Sequence, residues 1–414
     1  MRADDVEQDL RTPRAATALA HGPGGAAGSA PTGAVDPDGA PSSRLPAAGY
    51  HAGIIGTGFM GGVHARAVRA SGGAVVAVAG SDAAGAREGA AQLGAAAAAP
   101  DPQSLIDDPD VDVVHICTPN YLHVPLAEAA LRAGKHVVCE KPLATDVEGA
   151  VRLAELADAA RETDGRVTVV PFAYRFHPMV REARELVRNG AVGTVSLVHG
   201  SYLQDWLLNA SDDNWRVDPA LGGASRAFGD IGSHFCDLLE FTTGQRIVRL
   251  VAQQTTVNPL RGDAQGGQHR VRTEDAVTLQ YATDAGALGT AVISQVSAGR
   301  KNRLYLEISG SRSTLSFDQE QPELLWEGRR DASRVLVRDP ESLSSAAARY
   351  SRLPAGHAQG YQECFDALVA DTAAAIAGRV PDGLPTFDDG LRAARLAEAV
   401  ARSARTGTWV EIDA

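Results

Sequence analysis

A chain of 414 residues is longer than one ordinary hydrophobic core serves, so two structured domains are expected. Against 51 Asp and Glu there are 39 Lys and Arg, a net charge of −12, which provides no basic surface for nucleic acid and disfavours an anionic membrane face. With 44% hydrophobic and 22% charged residues, the remaining class is a globular protein with a small-molecule ligand.

The four cysteines, Cys117, Cys139, Cys236 and Cys364, are far apart and lack any metal-ligand spacing. They read as buried thiols in a reducing, cytoplasmic compartment.

Residues 1–48 are rich in Ala, Gly, Pro, Ser and Asp and show no periodicity. Such a segment cannot bury enough apolar surface to offset its ordering entropy, so a disordered tail is expected. Order begins at His51. Apolar runs at Ala52–Ile55, Ala74–Ala79, Val111–Cys117, His136–Cys139 and Val167–Val170 alternate with helical stretches that end near Ala70 and Leu93, or cover Pro125–Ala133 and Asp146–Ala160. This is the pattern of βαβ units around a parallel sheet covered on both faces, here spanning residues 49–171.

The pattern changes over residues 172–414. Alternating segments at Thr194–Leu203, Ile247–Val257, Ala276–Ala282, Leu288–Val296, Leu304–Ser309 and Thr314–Phe317 predict a mostly antiparallel sheet. Helices are expected at Met179–Asn189, Ile231–Phe241, Gln359–Ala377 and Gly390–Ser403, giving a second domain of α+β type. The fold class is therefore α/β, a parallel-sheet domain followed by an α+β domain with a mostly antiparallel sheet. No apolar run is long enough to span a bilayer.

Gly56-Thr57-Gly58-Phe59-Met60-Gly61 directly follows the first strand and opens a helix, the context that gives G-x-G-x-x-G its meaning. Gly56 permits the tight turn, Gly58 lets the backbone approach a pyrophosphate, and Gly61 lets helix and strand pack closely. The helix N-terminus presents unpaired N–H groups to the phosphates. A Gly-rich turn without a ligand is the alternative, since the chain has 43 glycines. After the second strand, Ser81 and Asp82 stand where a dinucleotide's ribose diol is read. A carboxylate repels a 2′-phosphate, so NAD is expected, with NADP the alternative.

Two segments fall at carboxyl ends of expected parallel strands, where open α/β sheets bind ligands. One is Cys117-Thr118-Pro119-Asn120-Tyr121-Leu122-His123, the other Cys139-Glu140-Lys141-Pro142-Leu143. Further on, Asp230 and His234 are four apart with Asp237 three beyond, so on a helix they share a face. Alone, that pair reads as capping or core. An Asp/His/Asp metal site is disfavoured because no further ligands cluster with it.

Together, Gly53–Gly61, Thr118-Pro119-Asn120, Glu140-Lys141-Pro142, Tyr174-Arg175-Phe176 and Asp230-Ile231-Gly232-Ser233-His234-Phe235-Cys236-Asp237 resemble the glucose–fructose oxidoreductase / inositol dehydrogenase family. The likeness continues in order to Ser403–Val410. The resemblance implies a Rossmann domain, an α/β domain whose open sheet often joins subunits into dimers or tetramers, a catalytic lysine at Lys141 with a frequently cis bond to proline, and catalytic roles for Asp230 and His234. A histidine near its unperturbed pKa of about 6.5 suits proton exchange with an alcohol at neutral pH. Lys141 would stabilise the developing alkoxide.

Cofactor contacts are expected from Gly56 to Gly61, Ser81, Asp82, Thr118, Asn120, His123, Glu140 and Lys141. A sugar or cyclitol would meet Lys141, Arg175, Asp205, Trp215, Asp230 and His234, because polar groups interleaved with indoles suit a polyol. The expected function is hydride transfer between NAD(P) and a secondary alcohol of a sugar, glycoside or cyclitol. An enzyme that retains NAD for elimination or deglycosylation is the alternative. An NAD-sensing regulator is a third reading, against which Lys141, Asp230 and His234 together argue.

Overall fold

The first apolar run folds as strand β1 (His51–Ile55), with Ala52 to Ile55 all buried, as a strand covered on both faces requires. The computed structural model describes residues 49–262 and 267–412; the segment 1–48, expected to be a tail, lies outside the described residues. Helix α1 (Phe59–Ala70), β2 (Ala74–Ala79) and α2 (Ala83–Leu93) follow, then β3 (Ala97–Ala98), α3 (Pro102–Ile106) and β4 (Val113–Ile116). Next come α4 (His123–Arg132), β5 (His136–Cys139), α5 (Val147–Asp164) and β6 (Thr168–Val169). The six strands run parallel in the order β3-β2-β1-β4-β5-β6. Strand order reverses between β1 and β4, which opens a crevice at their carboxyl ends.

Beyond α6 (Pro178–Arg188) the chain builds a second sheet. It starts with β7 (Val195–Leu203), passes α7 (Pro219–Gly222) and α8 (Ser233–Thr243), and resumes at β8 (Ile247–Thr255). A small hairpin, β9 (Leu260–Gly262) with β10 (Gln268–Arg270), precedes β11 (Ala276–Thr283), β12 (Leu288–Ser294), β13 (Arg303–Gly310) and β14 (Thr314–Asp318). Then come β15 (Leu324–Gly328), β16 (Ser333–Val337), α9 (Ser345–Ala348), α10 (Tyr361–Ile376), α11 (Phe387–Thr406) and β17 (Val410–Glu411). The nine-stranded order is β16-β15-β14-β13-β7-β12-β11-β8-β17, antiparallel except where β7 meets β12. One face packs under α6, α8 and α11 through Met179, Leu238 and Leu396 against Val198, Leu279 and Ile308. On the other, Leu197, Leu288 and Val292 are exposed.

The last helices return to the first sheet. Phe365 and Leu368 of α10 share a core with Ile54 and Val68. Helix α11 contributes Phe387 and Ala393 to the core beneath β4 and β5, and Leu396 and Val400 to the core of the second sheet. One helix thus fixes both sheets, a link that hydrophobic periodicity alone does not assign to a partner.

Close packing of α1 depends on Gly61. A Cβ there would press into the carbonyl oxygen of Gly56, whose own φ of +104° favours glycine. Gly61→Ala should therefore destabilise the fold by about 1–3 kcal/mol. Thermal unfolding reads this directly, and an unchanged midpoint would show that α1 does not need so close a seat.

Candidate active site

The crevice between β1 and β4 is built first from backbone. Gly56 N–H donates to Ala79 O (2.9 Å), which folds the turn back onto β2. Gly58 begins α1 in extended geometry with no side-chain cap, and open space surrounds the position its Cβ would fill. The first-turn N–H groups of α1 are thus left for a ligand's oxygens, and Thr57, Phe59 and Met60 line the turn. Tyr361 roofs it, its ring centroid 6.4 Å from that of Phe59 and its hydroxyl 3.6 Å from Met60 Sδ. At the end of β2, Ser81 and Asp82 are exposed. Asp82 caps α2, Oδ1 accepting from Ala84 and Gly85 N–H (2.9 and 2.8 Å), and those two bonds hold its carboxyl below the usual range.

Lys141 follows β5, and its peptide bond to Pro142 is cis. Its Nζ reaches into the second domain to donate to Asp230 Oδ1 (2.6 Å) and to the Asp230 carbonyl (2.9 Å). The expected helix over Ile231–Phe241 begins differently: Phe228–Gly232 form a π-helical turn ahead of α8. Such a turn loosens the i→i−4 ladder, which suits a carbonyl that serves an outside donor.

Asp230 is held from every side. Gln295 Nε2 donates to its Oδ2 (2.8 Å), and Arg216 Nε lies 3.6 Å from Oδ1. Burial pushes its carboxyl up, but Lys141 and Arg216 outweigh that and leave it far below the usual range. His234 is enclosed by the rings of Phe172 and Tyr174, with Nδ1 buried and unpartnered. Burial first, then Lys141, push its pKa well below 6.5 against the smaller pull of Asp230. The expectation that it titrates near neutral pH is therefore corrected: the ring is neutral there.

The remaining expected site residues divide. Thr118 lies at the end of β4, its Oγ1 buried and unpartnered. Asn120, His123 and Glu140 are buried braces rather than open contacts. Asn120 Nδ2 donates to Gly222 O (2.8 Å), which latches the segment before α8 onto the β4 loop. His123 is fully buried between Pro142 O (2.7 Å) and Thr118 O (3.0 Å), so it ties the two strand-end loops together and does not open on the crevice. Glu140 meets His64 Nε2 (3.0 Å) and accepts from Lys141 N–H (3.2 Å), while His64 Nδ1 is 2.8 Å from His115 Nδ1. Burial works against charge on His64, but Cys117 and Glu140 raise its pKa to about 10.

Arg175, expected at the substrate, is buried in a fork to Asp237 and Asp389 and so reads as a brace. Asp205 pairs instead with Lys301 (2.7 Å), and Trp215 lies under the Arg216 guanidinium at 4.3 Å, so that it meets the Lys141–Asp230 pair through Arg216. Sequence reasoning reaches Arg216 only within the segment Asn214-Trp215-Arg216 and does not reach Gln295. Arg216 had a signal in its place beside Trp215, whereas Gln295 lies 65 residues from its partner with no motif around it.

The glycine turn, the uncapped α1 terminus and Asp82 fit a dinucleotide. Among the described residues no group of three or more His, Cys, Asp or Glu is placed to hold a metal, and no helix is long and apolar enough to cross a membrane. Residues 50–169 match the oxidoreductase family described as an NAD-binding Rossmann fold, and residues 180–316 match the GFO/IDH/MocA C-terminal domain. The chain is 30% identical over 397 residues to levoglucosan dehydrogenase of Pseudarthrobacter phenanthrenivorans, covering 87% of this chain and 97% of that one. It is 30% identical to inositol 2-dehydrogenase 2 of Saccharopolyspora erythraea, over 87% and 95% of the two chains. A solved levoglucosan dehydrogenase in complex with NADH and levoglucosan superposes with a TM-score of 0.81 at 30% identity, covering 88% of this chain and all of the other.

Because burial and Lys141 keep His234 neutral, any inflection of kcat/KM between about pH 6 and pH 8 belongs to another group. His234→Gln should lower kcat by at least about tenfold and leave that inflection in place. A pH–rate profile in which the substitution abolishes the inflection would overturn the neutral assignment.

Proposed function

We propose, from the premise that this chain belongs to the GFO/IDH/MocA oxidoreductase family, that it is an NAD-dependent dehydrogenase acting on a secondary alcohol of a sugar, glycoside or cyclitol. The observation that carries the reading is the Lys141 ammonium, set at the end of β5 and bonded to Asp230 of the second domain. A polyol held between the two sheets would present a hydroxyl to Lys141 and His234. Bound NAD supplies the acceptor, and in reverse the donor, of the hydride.

Lys141 stabilises negative charge on the substrate oxygen as the carbon gives up its hydride. The neutral His234 can take the hydroxyl proton at Nε2, the ring nitrogen that is not walled off. Asp230 keeps Lys141 aimed and offsets the charge that the arriving proton places on the imidazole, which is the sense in which it raises the His234 pKa. Asp82 would meet the adenine ribose and repel a 2′-phosphate. The exposed Leu197, Leu288 and Val292 on the open sheet support a homo-oligomer formed through that face.

Hexoses, anhydrosugars, glycosides and inositols, each offered with NAD and with NADP, test the reading through the absorbance of the reduced cofactor. Failure of every polyol to give a net change would reject a net dehydrogenase. Lys141→Ala should cut kcat about a hundredfold or more while the Kd for NADH moves little, since the phosphates are held by the glycine turn. Asp82→Ala should narrow the NAD-over-NADP ratio in kcat/KM, and a wild type that already prefers NADP would remove Asp82 from that role.

A further inference from the structure

We infer that Gln295, which resides just beyond β12, is a positioning residue for the reaction, through its grip on Asp230. The inference deepens the dehydrogenase reading and rests on it for its kinetic consequence. Gln295 has no exposed surface, and its backbone is pinned at both ends: its N–H donates to Asp275 O (3.0 Å) and its carbonyl accepts from Leu207 N–H (3.3 Å). Asp275 is in turn clamped by Arg226 and Arg261. The side chain therefore has little freedom to swing.

Its amide is oriented by chemistry. An ionised Asp230 only accepts, so Nε2 must face Oδ2 (2.8 Å), and Oε1 is left buried without a partner. An unmet buried acceptor is destabilising, so a methionine of similar length would suit the site better if packing were all it did. What the amide supplies is direction. Asp230 faces Lys141 from the end of β5, Arg216 from the turn before α7 and His234 one helical turn on, and its charge in turn acts on the Tyr202 and Tyr361 hydroxyls of β7 and α10. Two cations compete for Oδ1. Among the described residues only Gln295 holds Oδ2, and with that oxygen fixed the carboxylate plane cannot turn toward Arg216 and away from Lys141.

Two substitutions separate positioning from packing. Gln295→Met removes the donor and keeps the volume. Gln295→Glu restores a donor only while the introduced carboxyl is protonated, and Asp230 beside it raises the pH at which that proton is lost. The chain contains three lysines, Lys135, Lys141 and Lys301, so reductive ¹³C-methylation of the cofactor-free protein gives few signals, assignable with Lys135→Arg and Lys301→Arg.

In Gln295→Met, kcat should fall by on the order of ten- to a hundredfold at every pH, with the Kd for NADH unchanged. In Gln295→Glu, kcat should be recovered toward acid and lost as pH rises between about 5 and 9, and the Lys141 methyl signal should show a matching extra inflection. Wild-type kcat in Gln295→Met, or equal losses at all pH in both variants, or a Lys141 signal without that inflection, would overturn the assignment. If the wild type turns over no polyol, the dehydrogenase reading fails by itself, and the NMR titration still decides whether the residue at 295 communicates with Asp230 and Lys141. A variant that does not fold is recognised by circular dichroism, and the other then carries the test.

Discussion

The ion pair between Lys141 and Asp230 is the contact on which the site depends. It joins the end of a parallel strand in one sheet to the start of a helix that packs on the other. Both side chains are mostly buried, 13% and 15% exposed, so neither charge could rest there without its partner. The pair is also incomplete as a neutral unit. Arg216 beside it leaves two cations for one carboxylate, and this excess keeps Asp230 ionised, while burial first and then Lys141 keep His234 neutral.

That electrostatic setting divides the labour. A histidine in water would titrate near neutral pH and spend part of its time as a useless imidazolium. Behind Phe172 and Tyr174, next to an ammonium, it stays an acceptor. The cost is a weaker base, which Asp230 partly relieves by lying close enough to stabilise the protonated ring. Lys141 Nζ donates both to a carboxylate oxygen and to a backbone carbonyl of the same residue, which fixes its direction.

Much of the motif chemistry turns out to hold the few reacting groups in place. Glu140 is followed by Lys141 in the chain, yet it faces inward to His64 of α1 and takes the Lys141 N–H. The helix that starts at the glycine turn is thereby tied to the peptide that carries the lysine. His123 couples the loops after β4 and β5, and Asn120 couples the β4 loop to Gly222. Arg175 binds α8 to α11 through Asp237 and Asp389. These contacts are made between loops and helices of different layers, where a polar group has no ladder to join and must find a side chain.

The features legible in the chain were those with local causes. Alternating apolar runs and helical stretches marked β1, β2, β4 and β5 and the helices between them, because a doubly covered strand must be apolar throughout. Gly56, Gly58 and Gly61 were readable since they recur within six residues, Gly56 and Gly61 required by backbone geometry and Gly58 leaving open space at the turn. The short β3, the neighbouring strands β15 and β16 and the β9–β10 hairpin left no such trace; each is five residues or fewer, too short for a periodicity to stand out. Asp230, His234 and Lys141 could be named, but the charge states of Asp230 and His234 could not: those follow from burial and from the cations Lys141 and Arg216 that the fold sets beside them. The division of motif residues into reacting groups and braces was likewise decided only in three dimensions. A side chain's type is carried by the chain, whereas its dielectric surroundings and the partner at its far atom are set by which layer packs against it.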